Sequence, residues 1–116
     1  PNRVRDLFVR VRAAVGDVGL RAHFHNTRNT GIANAWAAVE AGARTIDASI
    51  GGLGGCPFAP RATGNIGTED LVYMLNRAGV DTGTDLSRLI ELAHWAGNLV
   101  GQPPASMVSK AGGFPD

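Results

Sequence analysis

Leu20-Arg21-Ala22-His23-Phe24-His25 is the stretch that decides the fold. It alternates Leu20, Ala22 and Phe24 with Arg21, His23 and His25, the period of two that sends successive side chains to opposite faces of a strand. One face belongs to a core and the other carries two imidazoles. Upstream, Val4, Leu7, Phe8, Val11 and Val15 recur at helical spacing, with Arg3, Arg5, Asp6, Arg10 and Arg12 around the remaining circumference. That amphipathic helix ends in the turn signal Gly16-Asp17-Val18-Gly19. Downstream, Asn29 or Thr30 opens a helix whose buried stripe is Ile32, Ala35, Trp36 and Val39, closing at Ala41-Gly42.

Thr45 to Ile50 gives a second strand that runs into Gly51-Gly52-Leu53-Gly54-Gly55-Cys56-Pro57. A brief strand or turn near Thr63-Gly64-Asn65-Ile66 leads to Thr68-Glu69-Asp70, a hydroxyl and two carboxylates suited to a helix start, with Leu71, Met74 and Leu75 facing inward. A last helix begins near Thr84 or Asp85, buries Leu86, Leu89, Ile90, Ala93 and Val100, and stops before Gly101 and Pro103-Pro104. Residues 1–101 thus hold the ordered units, and 102–116 read as a weakly ordered tail.

The composition narrows the function classes. A chain of 116 residues with 44% hydrophobic and 18% charged residues is globular, and no apolar run approaches the roughly 18 residues of a membrane span. The net charge of +1, without long runs of either sign, argues against nucleic acid and anionic membrane as partners. One cysteine, Cys56, forms no internal disulfide, which points to a reducing, cytoplasmic setting. Pro1-Asn2-Arg3 lacks an initiator methionine and reads as a cut inside a longer polypeptide.

Helices and strands alternating in this order suit right-handed parallel crossovers, hence an α/β fold of three small βα units. A closed barrel of such units takes eight strands and about 250 residues, so an arc of three leaves two unpaired sheet edges.

Among residues that carry chemistry, His23 and His25 share one strand face with Cα atoms about 6.5–7 Å apart, close enough for both rings to meet one ion. The same spacing also suits one hydrogen-bonded and one solvated imidazole. Asn65, after a glycine, is either a turn residue or an oxygen donor. Cys56 sits on a glycine-shaped loop, as an incidental thiol or a proton donor. Asp47 and Glu69 read as structural carboxylates, and His94-Trp95 as an interfacial histidine beside a buried aromatic. The glycine loop has neither phosphate-binding nor dinucleotide-binding spacing.

His23-Phe24-His25-Asn26-Thr27, then Asp47 through Pro57, then Ala62-Thr63-Gly64-Asn65 and Thr68 through Leu75 resemble, in order and gap, the hydroxymethylglutaryl-CoA lyase family. The resemblance reaches to about Val100. It implies the last three βα units of a (β/α)8 TIM barrel and a retro-Claisen cleavage of 3-hydroxy-3-methylglutaryl-CoA to acetyl-CoA and acetoacetate. It further implies His23, His25 and Asn65 as ligands of Mg²⁺ or Mn²⁺, the ion acting as a Lewis acid. Cys56 would protonate the enolate product, and Gly52, Gly54 and Gly55 would let the loop close over the acyl group. The full-length parent would be a homo-oligomer acting on an acyl-CoA.

Two departures carry weight. Asn26 stands where animal lyases commonly have Asp, a change that accords with a different acyl-CoA substrate. The family's metal-binding aspartate and its neighbouring arginine belong to a first strand that these residues do not include, so the chain alone should bind metal poorly and be inactive. A related Claisen-type synthase, such as isopropylmalate or homocitrate synthase, shares the barrel and the paired histidines, although Gly55-Cys56-Pro57 weighs against it. A non-catalytic assembly fragment, its strand edges recruiting a partner chain, is the reading from another class.

Overall fold

The computed structural model describes residues 1–56, 58–59 and 64–114. Helix α1 spans Asn2–Val15, β1 Leu20–His23, α2 Gly31–Glu40, β2 Ala43–Asp47, α3 Thr68–Arg77, α4 Leu86–Val100 and α5 Met107–Ala111. Strands β1 and β2 pair in parallel, Arg21 opposite Thr45, Ala22 opposite Ile46 and His23 opposite Asp47. The α2 crossover is what parallel pairing demands.

The alternation read from the sequence sorts the two faces. Ala22 is buried and packs with Phe8 of α1 and Ala38 of α2, joined by Val4, Leu20, Phe24 and Ile46. A second cluster of Ala35, Ile66 and Leu71 shares Phe24 and Ile46 with the first and adds Ile32, Met74 and Leu75. The alanines of α2 keep that helix close to the sheet. Arg21, His23 and Thr45, on the other face, are exposed.

Two strand ends differ from expectation for the same reason. Strand β1 stops at His23 rather than His25, and β2 stops at Asp47 rather than Ile50. Beyond those points both chains pair with the segment 64–67. Asn26 N donates to Gly64 O at 2.7 Å and Ile66 N to Phe24 O at 3.3 Å, while Ser49 N donates to Ile66 O at 3.0 Å and Thr68 N to Ser49 O at 2.9 Å. The third strand expected near Asn65 is, among the described residues, this bridging segment: His25 pairs antiparallel with Asn65 and Ser49 parallel with Gly67.

The outward faces also depart from the sequence reading. Only Phe8 of the α1 stripe is buried, with Leu7 54% and Val15 44% exposed, and Trp95 on α4 is 62% exposed instead of buried. Those faces have no packing partner among the described residues. A groove of about 570 Å³ runs beside β2, lined by Thr45, Ile46, Leu71, Val72 and Leu75. The sheet among the described residues has two strands, so the outer edge of each carries no strand partner there.

The stretch expected to be a weakly ordered tail holds α5. Ala105 N and Ser106 N donate to Gly51 O at 2.7 and 3.1 Å. The Asp70 carboxylate accepts from Met107 N and Val108 N at 3.2 and 2.7 Å, capping α5 from another helix. Ser106 and Ser109 are buried and joined hydroxyl to hydroxyl at 2.7 Å. Asp70 lies 37 residues from Met107 in sequence, so local patterning gave no sign of this cap.

Gly31, first residue of α2, has no room for a side chain: an added Cβ would lie 2.4 Å from Ile66 Cγ2 and 2.8 Å from the His25 carbonyl oxygen. Gly31→Ala should therefore destabilise the fold by about 2 kcal/mol through overpacking, read as a lowered urea midpoint. An unchanged midpoint would show that helix and bridging segment separate without cost.

Candidate active site

The C-terminal ends of β1 and β2, tied together by residues 64–67, gather most of the residues singled out from the sequence. The His23 and His25 rings stand 5.1 Å apart, centroid to centroid, at 67° in an edge-to-face arrangement. His25 and Asn65 are bridge partners, and such partners project to the same side of a sheet. Asn65 Nδ2 donates to the Leu53 carbonyl at 2.9 Å, which fixes the amide and presents Oδ1 as its acceptor end.

The glycine loop enters from the end of β2 through a tight turn over Ile50–Gly52. Gly54 adopts φ 109°, a region open to glycine, and a Cβ there would sit 2.8 Å from Asn65 Nδ2. Gly55, immediately before Cys56, packs its carbonyl oxygen 2.6 Å from where a Cβ on Gly64 would lie. Gly52 also backs onto this segment, a Cβ there falling 3.4 Å from Asn65 O. Cys56 is partly exposed, and its thiol is in no disulfide. The loop thus carries Cys56 away from a glycine contact beside Asn65. Pro57, Ala62 and Thr63, also part of the sequence reading, lie outside the described residues.

Imidazoles and an amide oxygen are neutral donors, and a hard divalent ion needs anionic oxygen besides. Among the described residues no three His, Cys, Asp or Glu side chains stand close enough to hold an ion. Asp47 is the register partner of His23, but its carboxylate lies 3.6 Å from the Arg21 Nε. His94 is remote from this cluster in role: its Nε2 pairs with the Ser109 carbonyl oxygen at 2.8 Å.

Asn26, read only as a departure from a family pattern, proves structural as well. Its Oδ1 accepts from Gly31 N at 3.0 Å, capping α2, a task that Asn29 or Thr30 was expected to perform. Its Nδ2 reaches Asn29 Oδ1 at 3.4 Å. An Asn five residues before a helix start lies outside the usual capping position, so spacing rules pass it over.

These geometries define a β/α protein with its polar cluster at the C-terminal ends of parallel strands, an α/β fold resembling the hydroxymethylglutaryl-CoA lyase barrel. The family model described as HMGL-like matches residues 1–95, and the chain belongs to that family. It is 51% identical over 112 residues to a (R)-citramalyl-CoA lyase of Chloroflexus aurantiacus, covering 97% of this chain and 35% of that one. It is 40% identical to the mitochondrial hydroxymethylglutaryl-CoA lyase of Gallus gallus, covering 96% of this chain and 37% of that one. A solved HMG-CoA lyase of Acinetobacter baumannii, in complex with coenzyme A and 3-methylmalate, superposes with a TM-score of 0.89 at 46% identity, covering all of this chain and 38% of that one. The chain spans about a third of the length of these relatives.

Because Asn26 caps α2 through an oxygen, Asn26→Asp should keep stability within about 0.5 kcal/mol, whereas Asn26→Ala should cost about 1 kcal/mol. Thermal unfolding of the two variants side by side measures this. Equal losses would mean that the Gly31 contact contributes nothing.

Proposed function

We propose that the polypeptide carrying these residues is a divalent-metal-dependent acyl-CoA lyase that cleaves 3-hydroxy-3-methylglutaryl-CoA to acetyl-CoA and acetoacetate. The 116 residues are then the last three βα units of its TIM barrel and are inactive alone. The observation that carries this reading is the pairing of His25 with Asn65, which makes an amide-bearing residue the neighbour of a histidine whose ring stands 5.1 Å from that of His23 at the strand ends. His23, His25 and Asn65 would hold Mg²⁺ or Mn²⁺, with an anionic oxygen from another strand completing a shell that suits a hard ion. Such a cation supplies Lewis acidity toward the substrate's tertiary hydroxyl and carbonyl oxygens.

In this mechanism the hydroxyl at C3 passes its proton to a water molecule, its oxygen forms the ketone carbonyl of acetoacetate as the C2–C3 bond breaks, and the electron pair of that bond becomes the enolate of acetyl-CoA. Cys56 donates its Sγ proton to C2 of that enolate and is left as thiolate. Gly52, Gly54 and Gly55 allow the loop to fold over the acyl group, excluding water from the enolate. The exposed edge of β2 and the apolar groove beside α3 support the placement of further barrel strands there. A reducing compartment, the cytoplasm, keeps Cys56 as the thiol this step needs. The parent would be a homo-oligomer.

A specific observation favours a second substrate. The chain is more similar to the citramalyl-CoA lyase, at 51% identity, than to the Gallus gallus enzyme, at 40%. Citramalyl-CoA has the same tertiary alcohol on an acyl chain shorter by one methylene, and its cleavage would give pyruvate in place of acetoacetate. Asn26, where animal lyases have Asp, accords with that alternative.

The full-length polypeptide should cleave one of these thioesters, lose activity to a chelator, and regain it with Mg²⁺ or Mn²⁺. Cys56→Ala should lower its kcat about 100-fold or more, the usual weight of a proton transfer. The isolated 116 residues should show no turnover and weak metal binding in calorimetry. Full activity of Cys56→Ala would remove the thiol from the mechanism, and ordinary turnover by the isolated chain would refute its incompleteness.

A further inference from the structure

Glu69 is fully buried, yet the proposed chemistry makes no use of it. Its two carboxylate oxygens accept from the single N–H of Gly51 at 2.9 and 3.1 Å. Gly51 is the root of the loop that ends in Cys56, and it takes φ 63°, a left-handed conformation. The carbonyl of the same residue accepts from Ala105 N and Ser106 N. Gly51 is therefore gripped on both sides of its Cα: its N–H by the carboxyl group of Glu69 on α3, and its carbonyl by the amides that lead into α5, itself capped by the neighbouring Asp70. A cap for α3 alone does not require this, because a first-turn carboxylate serves that end from solvent, and Glu69 has left solvent to reach a residue 18 positions earlier.

We infer that Glu69 is a positioning residue for the Cys56 loop: it fixes the Gly51 hinge so that the segment Leu53 to Cys56 leaves β2 along one path, against Asn65 and Gly64. This rests on Cys56 having the role given above. The loop reaches its thiol only five residues after the hinge, and a rotation at Gly51 displaces every atom beyond it. The Leu53 carbonyl that orients the Asn65 amide lies on that path as well. Glu69 thus couples the thiol and the amide without touching substrate. Removing its carboxylate strands a buried N–H, which favours any rearrangement that hydrates it.

The test uses the full-length polypeptide with Glu69→Ala, Glu69→Asp and Glu69→Gln, each read three ways: hydrogen exchange at Gly51, alkylation of Cys56 by iodoacetamide followed by peptide mass spectrometry, and thioester cleavage. E69A should raise Gly51 exchange and Cys56 alkylation about tenfold and lower kcat with KM changed less than about twofold. E69Q, which keeps an acceptor oxygen, should restore most of each. If E69A fails to fold, E69D decides, since it withdraws the carboxylate by one methylene and should loosen the hinge in the same direction. Exchange and alkylation at the original rates in a folded E69A or E69D would overturn the inference. So would a loss of stability with kcat per folded molecule unchanged. Should the original polypeptide cleave neither thioester, the lyase reading falls, while exchange and alkylation still decide the role of Glu69.

Discussion

Four residues, Gly64 to Gly67, bond to both strands at once, and the site depends on that double attachment. Phe24 and Asn26 hold them from the β1 side, and Ser49 holds them from the β2 side. Ile66 is wholly buried between α2 and α3, so the register of this segment is set by an apolar side chain as well as by backbone bonds. Asn65, the residue before it, must then face the opposite way. A single buried isoleucine thus fixes where an amide is presented beside His25. Gly31 and Gly67 make the attachment possible by leaving space: a side chain on Gly67 would strike Ser106, and one on Gly31 would strike Ile66.

The parts of this arrangement legible in the sequence were those governed by periodicity. Ala22 and Phe24 enter the core and His23 faces away because strand geometry alternates, and no other information is needed. Asp85 accepts from Arg88 N at 3.1 Å and Gly101 closes α4 with φ 67°, as local capping chemistry directs. The family resemblance rested on ordered blocks with matching gaps and agrees with the HMGL-like match. The pairing of His25 with Asn65 was not available from either residue, because it joins positions 40 apart through backbone bonds that no local pattern encodes.

Carboxylates were the least legible. Glu69 and Asp70 both fit a helix start, and that local role accounts for either residue without any distant partner. In space they diverge: Glu69 turns inward to Gly51, and Asp70 turns to the start of α5. Adjacent residues of one type thus serve two distant segments. Trp95 failed in the other direction, since an aromatic at helical spacing reads as core whether or not a neighbouring element covers it.

The same bridging segment spans unequal chain distances on its two sides. Ser49 meets Ile66 after 17 residues, while His25 meets Asn65 only after 40. Because the entropy of closing a loop grows only with the logarithm of its length, the longer closure costs less than about 1 kcal/mol more than the shorter one. Two polar residues far apart in the chain therefore become neighbours at little extra entropic cost, and the separation that hides their pairing from local patterns hardly weakens it.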